Sequence, residues 1–355
     1  MKILASLASW RLILLGAAVA ACGSGDDDGG DGPDLPDGDL AEVLAAIPGM
    51  SVTEEAVDPP YRFFRLVYQQ PVDHDDPDGD TFGQRMTLVH RDAAAPMVLH
   101  TGGYHLTEQP FLSELGYLLD GNQVHVEQRF FGPSRPDPAD WSKLTIEQAA
   151  ADHHRIVEAL APIYGGAWVS TGASKGGMTS IYHRRFYPDD VDATVPYVAP
   201  ISFGAPDERY NAFLADVGDA GCRGVVQDFQ REMLVRREAM VPRVQAYAEA
   251  NGVTYDRHGG VEAAFEDSVV EMEWTFWQYL GDEWCASVPA PAADATDDEL
   301  WGFHVEGVGA LYYLDDAAIA DYEPYYYQSE TQLGYPDSST AHIDDLLETQ
   351  EAPRD

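Results

Sequence analysis

The run Trp168-Val169-Ser170-Thr171-Gly172-Ala173-Ser174-Lys175-Gly176-Gly177 sets a serine two residues from a glycine on either side, after a β-branched and aromatic stretch. Met178-Thr179-Ser180-Ile181-Tyr182-His183-Arg184-Arg185-Phe186 follows with the character of a helix. A strand, a sharp turn and a helix around Gly-x-Ser-x-Gly is the setting in which a serine is presented as a nucleophile. Small residues let strand and helix pack closely, and the turn holds Ser174 exposed on a strained backbone. The helix N-terminus beneath it favours negative charge that develops there. A solvated serine in a Gly-rich turn is the competing reading, and the strand–turn–helix context speaks against it.

Such a hydroxyl is a weak nucleophile until a base within hydrogen-bond reach takes its proton. Acyl transfer also needs donors aimed at the oxyanion of the tetrahedral intermediate. One is the backbone N–H that follows the nucleophile, here that of Lys175. The second belongs to a loop after an earlier strand. Pro96-Met97-Val98-Leu99-His100-Thr101-Gly102-Gly103-Tyr104 supplies a buried-type strand ending in a Gly-Gly turn, with Gly103 and Tyr104 as the oxyanion loop. A Gly-Gly pair alone is more often only a turn. Two parts of one machine in the expected order point to an enzyme.

Gly172-Ala173-Ser174-Lys175-Gly176-Gly177-Met178-Thr179, with Tyr182-His183-Arg184-Arg185-Phe186-Tyr187-Pro188 and Val198-Ala199-Pro200, resembles the secreted bacterial tripeptidyl aminopeptidase family of serine peptidases. Glu127-Gln128-Arg129-Phe130-Phe131-Gly132-Pro133-Ser134-Arg135-Pro136 is similar to a block of the distantly related Pro-X carboxypeptidases and dipeptidyl peptidases. The resemblance runs from about residue 60 to the C-terminal end. It implies an α/β-hydrolase, with a doubly wound, mostly parallel sheet and an inserted all-helical cap. It further implies an exported serine exopeptidase that needs no cofactor. Such an enzyme releases short peptides, tripeptides above all, from peptide N-termini through an acyl-enzyme at Ser174.

One departure from that family stands out. Its catalytic aspartate and histidine follow the cap, each on a loop after a late strand. Neither a late strand with an acidic loop nor a Gly-x-x-His segment precedes Asp355. The positions of both residues are therefore unassigned. The last strands read as missing, and the chain as truncated or as part of a split enzyme with little hydrolysis of its own. His304 and His342 follow Ser174 in a permitted order but sit in cap-like sequence. His100, His105 and His125 lie near strand ends, as supporting groups.

Glu127 and Arg129 are the candidates for binding substrate. An exopeptidase working from the N-terminus must neutralise an ammonium, and a carboxylate at a strand end suits that task. An internal Glu127–Arg129 or Glu127–Arg135 pair bracing the loop is the other reading, since paired charges are the usual fate of such residues. The Lys175 side chain is a further candidate anchor for a carboxylate.

These parts need elements to position them. Strands are expected over 61–70, 82–90, 96–104, 123–132 and 193–200, and a helix over 146–164. Strands alternating with helices indicate the parallel sheet. Phe229–Tyr247 and Val261–Tyr279 read as long cap helices, and Asp298–Tyr327 as helical in part. The tyrosines and tryptophans there line a cleft or fill the cap's own core. The Asp73–Asp80 cluster fits a solvated hairpin loop better than a calcium site.

The whole chain divides into a signal peptide (1–21), an acidic Gly/Asp-rich linker (22–40), the core (41–204) and the cap (205–355). Lys2 and Arg11 flank an apolar run too short to span a bilayer. It ends in Val19-Ala20-Ala21-Cys22, which resembles a bacterial lipobox and implies a lipidated Cys22 and an exported protein, anchored to membrane only there. An ordinary secretory signal is the alternative. Cys222 and Cys285 remain as a candidate disulfide in that compartment. No Cys/His spacing suggests a metal, and adjacent His153 and His154 point apart. A formal charge of -40 excludes nucleic acid as a partner, leaving peptides as the expected substrates. A carboxylesterase or lipase would share every feature of the elbow. An inactive surface lipoprotein on the same scaffold is the reading from another class.

Overall fold

The computed structural model describes residues 39–349 apart from residues 309 and 337. The signal segment, Cys22 and the linker up to residue 38 lie outside the described residues.

One sheet carries the site. Its strands are β1 (Met50–Glu55), β2 (Arg62–Pro71), β3 (Thr81–His90), β4 (Met97–Thr101), β5 (Asn122–Val126), β6 (Trp168–Ala173) and β7 (Ala193–Tyr197). Their spatial order is β1-β2-β3-β5-β4-β6-β7. β1, β2 and β3 pair antiparallel, and β3 meets β5 antiparallel. The remaining four run parallel. Parallel neighbours need crossovers, which α2 (Glu114–Leu118), α3 (Ile146–Leu160) and α4 (Lys175–Phe186) supply. This is the α/β-hydrolase sheet that the resemblance implies, with β1 and the short α1 (Leu40–Ala45) as elements the sequence reading did not expect.

Packing fixes the order. Ile156, Val157 and Leu160 of α3 meet Leu66, Leu88, Leu99 and Val124 of the sheet in one core. Every residue of β5 is buried, as expected of a strand covered on both faces. The β4–β6 register sets His100 beside Thr171. The loops after these two strands therefore emerge side by side, where β5 lies on the far side of β4. A switch of strand order of this kind is where open α/β sheets place their sites.

From Arg209 onward the regular elements among the described residues are helices joined by turns and loops. The cap comprises α5 (Arg209–Leu214), α6 (Ala220–Val235), α7 (Arg237–Asn251), α8 (Val261–Val270), α9 (Met272–Tyr279), α10 (Asp297–Gly302) and α11 (Asp316–Gln328). It has its own core of Phe229, Met233, Val244, Phe265, Phe276 and Leu300. Cys222 in α6 is disulfide-bonded to Cys285, Cα to Cα 5.6 Å.

Several expected elements change their bounds: the strand of 96–104 ends at Thr101, that of 193–200 at Tyr197 and the helix of 146–164 at Leu160, and three further runs break or stop early. The run 229–247 is two helices, because Arg236 leaves helical geometry at ψ 24°. Its guanidinium is held there by the Ala293 and Ala295 carbonyls and by Asp297. The run 261–279 divides at Glu271, where ψ is -9°. The strand expected over 123–132 stops at Val126, and Phe130 turns the chain with φ 70°.

Candidate active site

Ser174 sits between β6 and α4 with φ 53° and ψ -124°, a conformation that costs a non-glycine residue about 1–3 kcal/mol. The surroundings enforce it. The Ser174 N–H donates to the Tyr197 carbonyl at 3.1 Å. A Cβ on Gly172 would lie 2.5 Å from the Gly176 backbone, and one on Gly176 2.6 Å from the Thr101 carbonyl oxygen. The Thr101 hydroxyl donates to the carbonyls of Thr171 and Gly176, at 3.0 and 2.8 Å, and so ties the end of β4 to the elbow.

The loop after β4 packs directly on the start of α4. A Cβ on Gly103 would meet the Gly176 nitrogen at 2.5 Å. Neither the Tyr104 N–H nor the Lys175 N–H has a backbone acceptor among the described residues. Two donors therefore stay available beside the Ser174 hydroxyl, as an oxyanion hole requires. The Tyr104 phenol is a further polar group near Ser174, whose side chain slightly offsets the upward shift of that phenol. Burial pushes that phenol well above its usual range, and neighbouring tyrosines push it further, so it stays protonated.

The cap faces this point with aromatic rings. Tyr322 and Tyr325 of α11 lie 5.5 and 5.8 Å from the Tyr104 ring, centre to centre, and Phe131 lies 5.6 Å away on the core side. His105 reaches Asp321 of α11 with its Nε2 at 2.9 Å.

Glu127 is fully buried. Its Oε1 accepts from Arg85 Nη2 (2.6 Å) and the Leu106 N–H (3.1 Å). Its Oε2 accepts from Arg85 Nε (2.9 Å) and the Ser134 hydroxyl (2.5 Å). With its acceptor sites filled, this carboxylate fits the role of a brace rather than that of an ammonium receptor. Its partner is Arg85, not Arg129 or Arg135. Arg129 is equally buried and pairs in two-pronged fashion with Asp152, Nε to Oδ2 at 2.7 Å and Nη2 to Oδ1 at 2.8 Å. It also donates to the carbonyls of Pro71, Val72 and Lys143. Both residues brace the segment after β5, and the described partners occupy the Glu127 carboxylate and the Arg129 guanidinium.

The histidines are engaged elsewhere. His304 lies in the cap core with Nε2 2.8 Å from the Ser268 hydroxyl, and His342 Nε2 is 2.8 Å from Gln230. His100 and His125 stack edge-on, 4.5 Å between centres. His153 bonds the Ala149 carbonyl, and His154 and His183 share Asp190. Among the described residues, none of these is hydrogen-bonded to Ser174.

Four of them have a consequence for stability. Burial pushes His100, His153 and His304 down to about 4, and burial with the neighbouring His100 pushes His125 to about 3. The unfolded chain therefore takes up protons below about 6.5 that the folded chain refuses. Stability from these groups is complete above that pH and drains away as the pH falls toward 4. The unfolding temperature should drop steadily between pH 6.5 and 4; a flat profile across that window contradicts the burial described.

Similarity to known proteins agrees with this geometry. The sequence profile described as PS-10 peptidase S37 matches residues 36–350. A prolyl tri/tetrapeptidyl aminopeptidase of Streptomyces mobaraensis is 45% identical over 313 residues, which cover 88% of this chain and 65% of that protein. Prolyl carboxy peptidase like protein 5 of Caenorhabditis elegans is 29% identical over 164 residues, 39% of this chain and 31% of that one. This chain thus spans less than two thirds of the length of either relative. Among solved structures, an acetyl xylan esterase from Paenibacillus sp. R4 overlaps 44% of this chain and 57% of its own, with a TM-score of 0.33 and 16% identity. The profile match takes in the elbow, the Gly102-Gly103-Tyr104 loop and the cap together, and the chain belongs to the PS-10 peptidase S37 family.

Proposed function

We propose that this protein is an exported serine exopeptidase that releases tri- or tetrapeptides from peptide N-termini through an acyl-enzyme at Ser174. The observation that carries the reading is the elbow itself: Ser174 at φ 53°, beside two backbone N–H groups without backbone acceptors among the described residues. In this mechanism Ser174 Oγ attacks the scissile carbonyl carbon, and its proton passes to a base and then to the departing amine. The Lys175 and Tyr104 N–H groups stabilise the oxyanion. Water then attacks the ester, the base takes its proton, and Ser174 is restored as the peptide acid leaves. The engagement of the chain's histidines supports a base supplied by a group other than these.

Substrate class rests on the relative from Streptomyces mobaraensis, named for tri/tetrapeptidyl release. The rings of Tyr322 and Tyr325 around that of Tyr104 suit a flat apolar residue at the cut. Export is supported by the Cys222–Cys285 disulfide, which persists in oxidising compartments. Lipidation at Cys22 is part of the same proposal.

The test uses the protein expressed from its complete reading frame. A peptide with a free N-terminus and its N-acetylated twin are incubated in parallel, and products are read by mass spectrometry. Release of a three- or four-residue fragment from the free peptide alone is expected. Internal cuts in both peptides, or hydrolysis of simple esters only, would sink the exopeptidase reading in favour of an endopeptidase or esterase.

A further inference from the structure

Lys175 is one of three lysines in the chain, and it is 3% exposed. A buried ammonium without a carboxylate beside it is costly, so its presence next to the nucleophile calls for a physical reason. Its Nζ donates to the Gly103 carbonyl oxygen at 2.9 Å. The same nitrogen lies 5.6 Å from the centre of the Tyr104 ring and 5.2 Å from that of Phe131. Those π-faces compensate part of its lost hydration.

The Gly103 carbonyl and the Tyr104 N–H are the two ends of one peptide unit. In a trans unit they point in opposite directions, and the cis bonds of this chain lie elsewhere. Pinning the carbonyl toward Lys175 therefore turns the Tyr104 N–H away from that side chain. The next carbonyl, that of Tyr104, is held separately by the Gln128 N–H at 3.0 Å. The unit is clamped on both sides.

We propose that the Lys175 side chain is a positioning residue of the oxyanion hole: its ammonium clamps the Gly103 carbonyl, which aims the Tyr104 N–H and polarises it into a stronger donor. The proposal rests on the reading of Ser174 as the nucleophile of peptide hydrolysis. Lys175 neither gains nor loses a bond in the reaction; its charge acts through the peptide unit. The Tyr104 phenol is the titratable group facing it, and burial keeps that phenol neutral. Burial is also what pushes the Lys175 ammonium down to about 7. The clamp is thus charged in mildly acidic solution and weakens as the pH rises through that value.

The test measures kcat and KM for release from a free N-terminus, and affinity for a peptide boronate that forms a tetrahedral adduct. Lys175→Met keeps length and apolar bulk but removes donor and charge. It should lower kcat about a hundredfold, the usual effect of weakening one oxyanion donor. KM and product binding should stay within about threefold, while boronate affinity falls in step with kcat/KM. Lys175→Arg should recover most of kcat and move the alkaline limb of kcat/KM upward by more than about one pH unit, since a guanidinium stays charged. Arg cannot serve as a general base, so this recovery separates a clamp from a proton acceptor. A Met variant within about twofold of the parent, or a folded Arg variant as impaired as Met, overturns the proposal. Should both variants unfold on a thermal scan, the parent's profile decides, and the absence of an alkaline limb overturns it. Ser174→Ala is run alongside. If that variant still turns over, the serine reading itself has failed; if it is inactive while Lys175→Met is unimpaired, only the clamp has.

Discussion

Ser174→Ala is expected to abolish peptide release, lowering kcat by about a million-fold, the scale seen when the nucleophile of such a machine is deleted. The acyl-enzyme cannot form without Oγ. What remains is the oxyanion hole and substrate binding, which together leave only about 10³–10⁴ over the reaction in water. The substitution keeps a Cβ at φ 53°, so the backbone strain of the elbow is unchanged and stability should barely move. Ser174→Gly separates the two effects: it is equally inactive, yet relieves strain of about 1 kcal/mol or more. Paired measurements of turnover and thermal unfolding on both variants check this. Turnover of the Ala variant within about tenfold of the parent would place the chemistry at another residue.

The elbow was legible because the glycines that permit it are local, although the backbone they approach includes the distant Thr101 and Tyr197 carbonyls. Gly172, Gly176 and Gly177 flank Ser174 within three positions, and each is needed for a backbone contact within 2.7 Å of where a Cβ would sit. The oxyanion loop was legible for a second reason: strand order alone puts the end of β4 beside the end of β6. The ion pairs were not. Glu127 pairs with Arg85 across 42 residues, and that partnership follows from the antiparallel β3–β5 register, which sets Met86 opposite Val126. No spacing rule within the Glu127–Pro136 block reveals it, so the nearer arginines in sequence were weighed instead. The same holds for the clamp: the sequence offers the Lys175 side chain as an anchor for a carboxylate, and the fold instead turns it back on the Gly103 carbonyl. The scarcity of lysine was the available signal, as only Lys2 and Lys143 accompany Lys175. The cap helices show the opposite failure. The run 229–247 breaks at Arg236, whose guanidinium is held by carbonyls and a carboxylate about 60 residues away, such as that of Asp297.

Arg129→Met should cost about 3–5 kcal/mol of stability at neutral pH, as expected when one partner of a buried ion pair is removed. Asp152 then keeps only His74 as a side-chain partner, Nε2 to Oδ1 at 2.7 Å. The carbonyls of Pro71, Val72 and Lys143 lose their donor at the same time. In the parent, burial pushes the Asp152 carboxyl up, but the charge and hydrogen bonds of Arg129, with those of His74, outweigh it and hold the group below its usual range. Its stabilising contribution is therefore present above about 3.9 and is lost as the pH falls through its lower folded value. Without Arg129 the carboxyl rises. Protonation of Asp152 then relieves the stranded charge more readily in acid, so the penalty should be smaller at pH 5 than at pH 7. Urea denaturation of both proteins at the two pH values measures this, and a penalty that grows in acid would contradict it. Arg129→Met with Asp152→Leu should recover much of the loss, because no stranded carboxylate remains. It should not recover activity to the same degree. Gln128, adjacent to Arg129, holds the Tyr104 carbonyl, so the segment that Arg129 anchors is the same one that fixes the oxyanion loop. Restored stability with impaired kcat would separate the two duties of this arginine: neutralising Asp152, and keeping the backbone beside Ser174 in place.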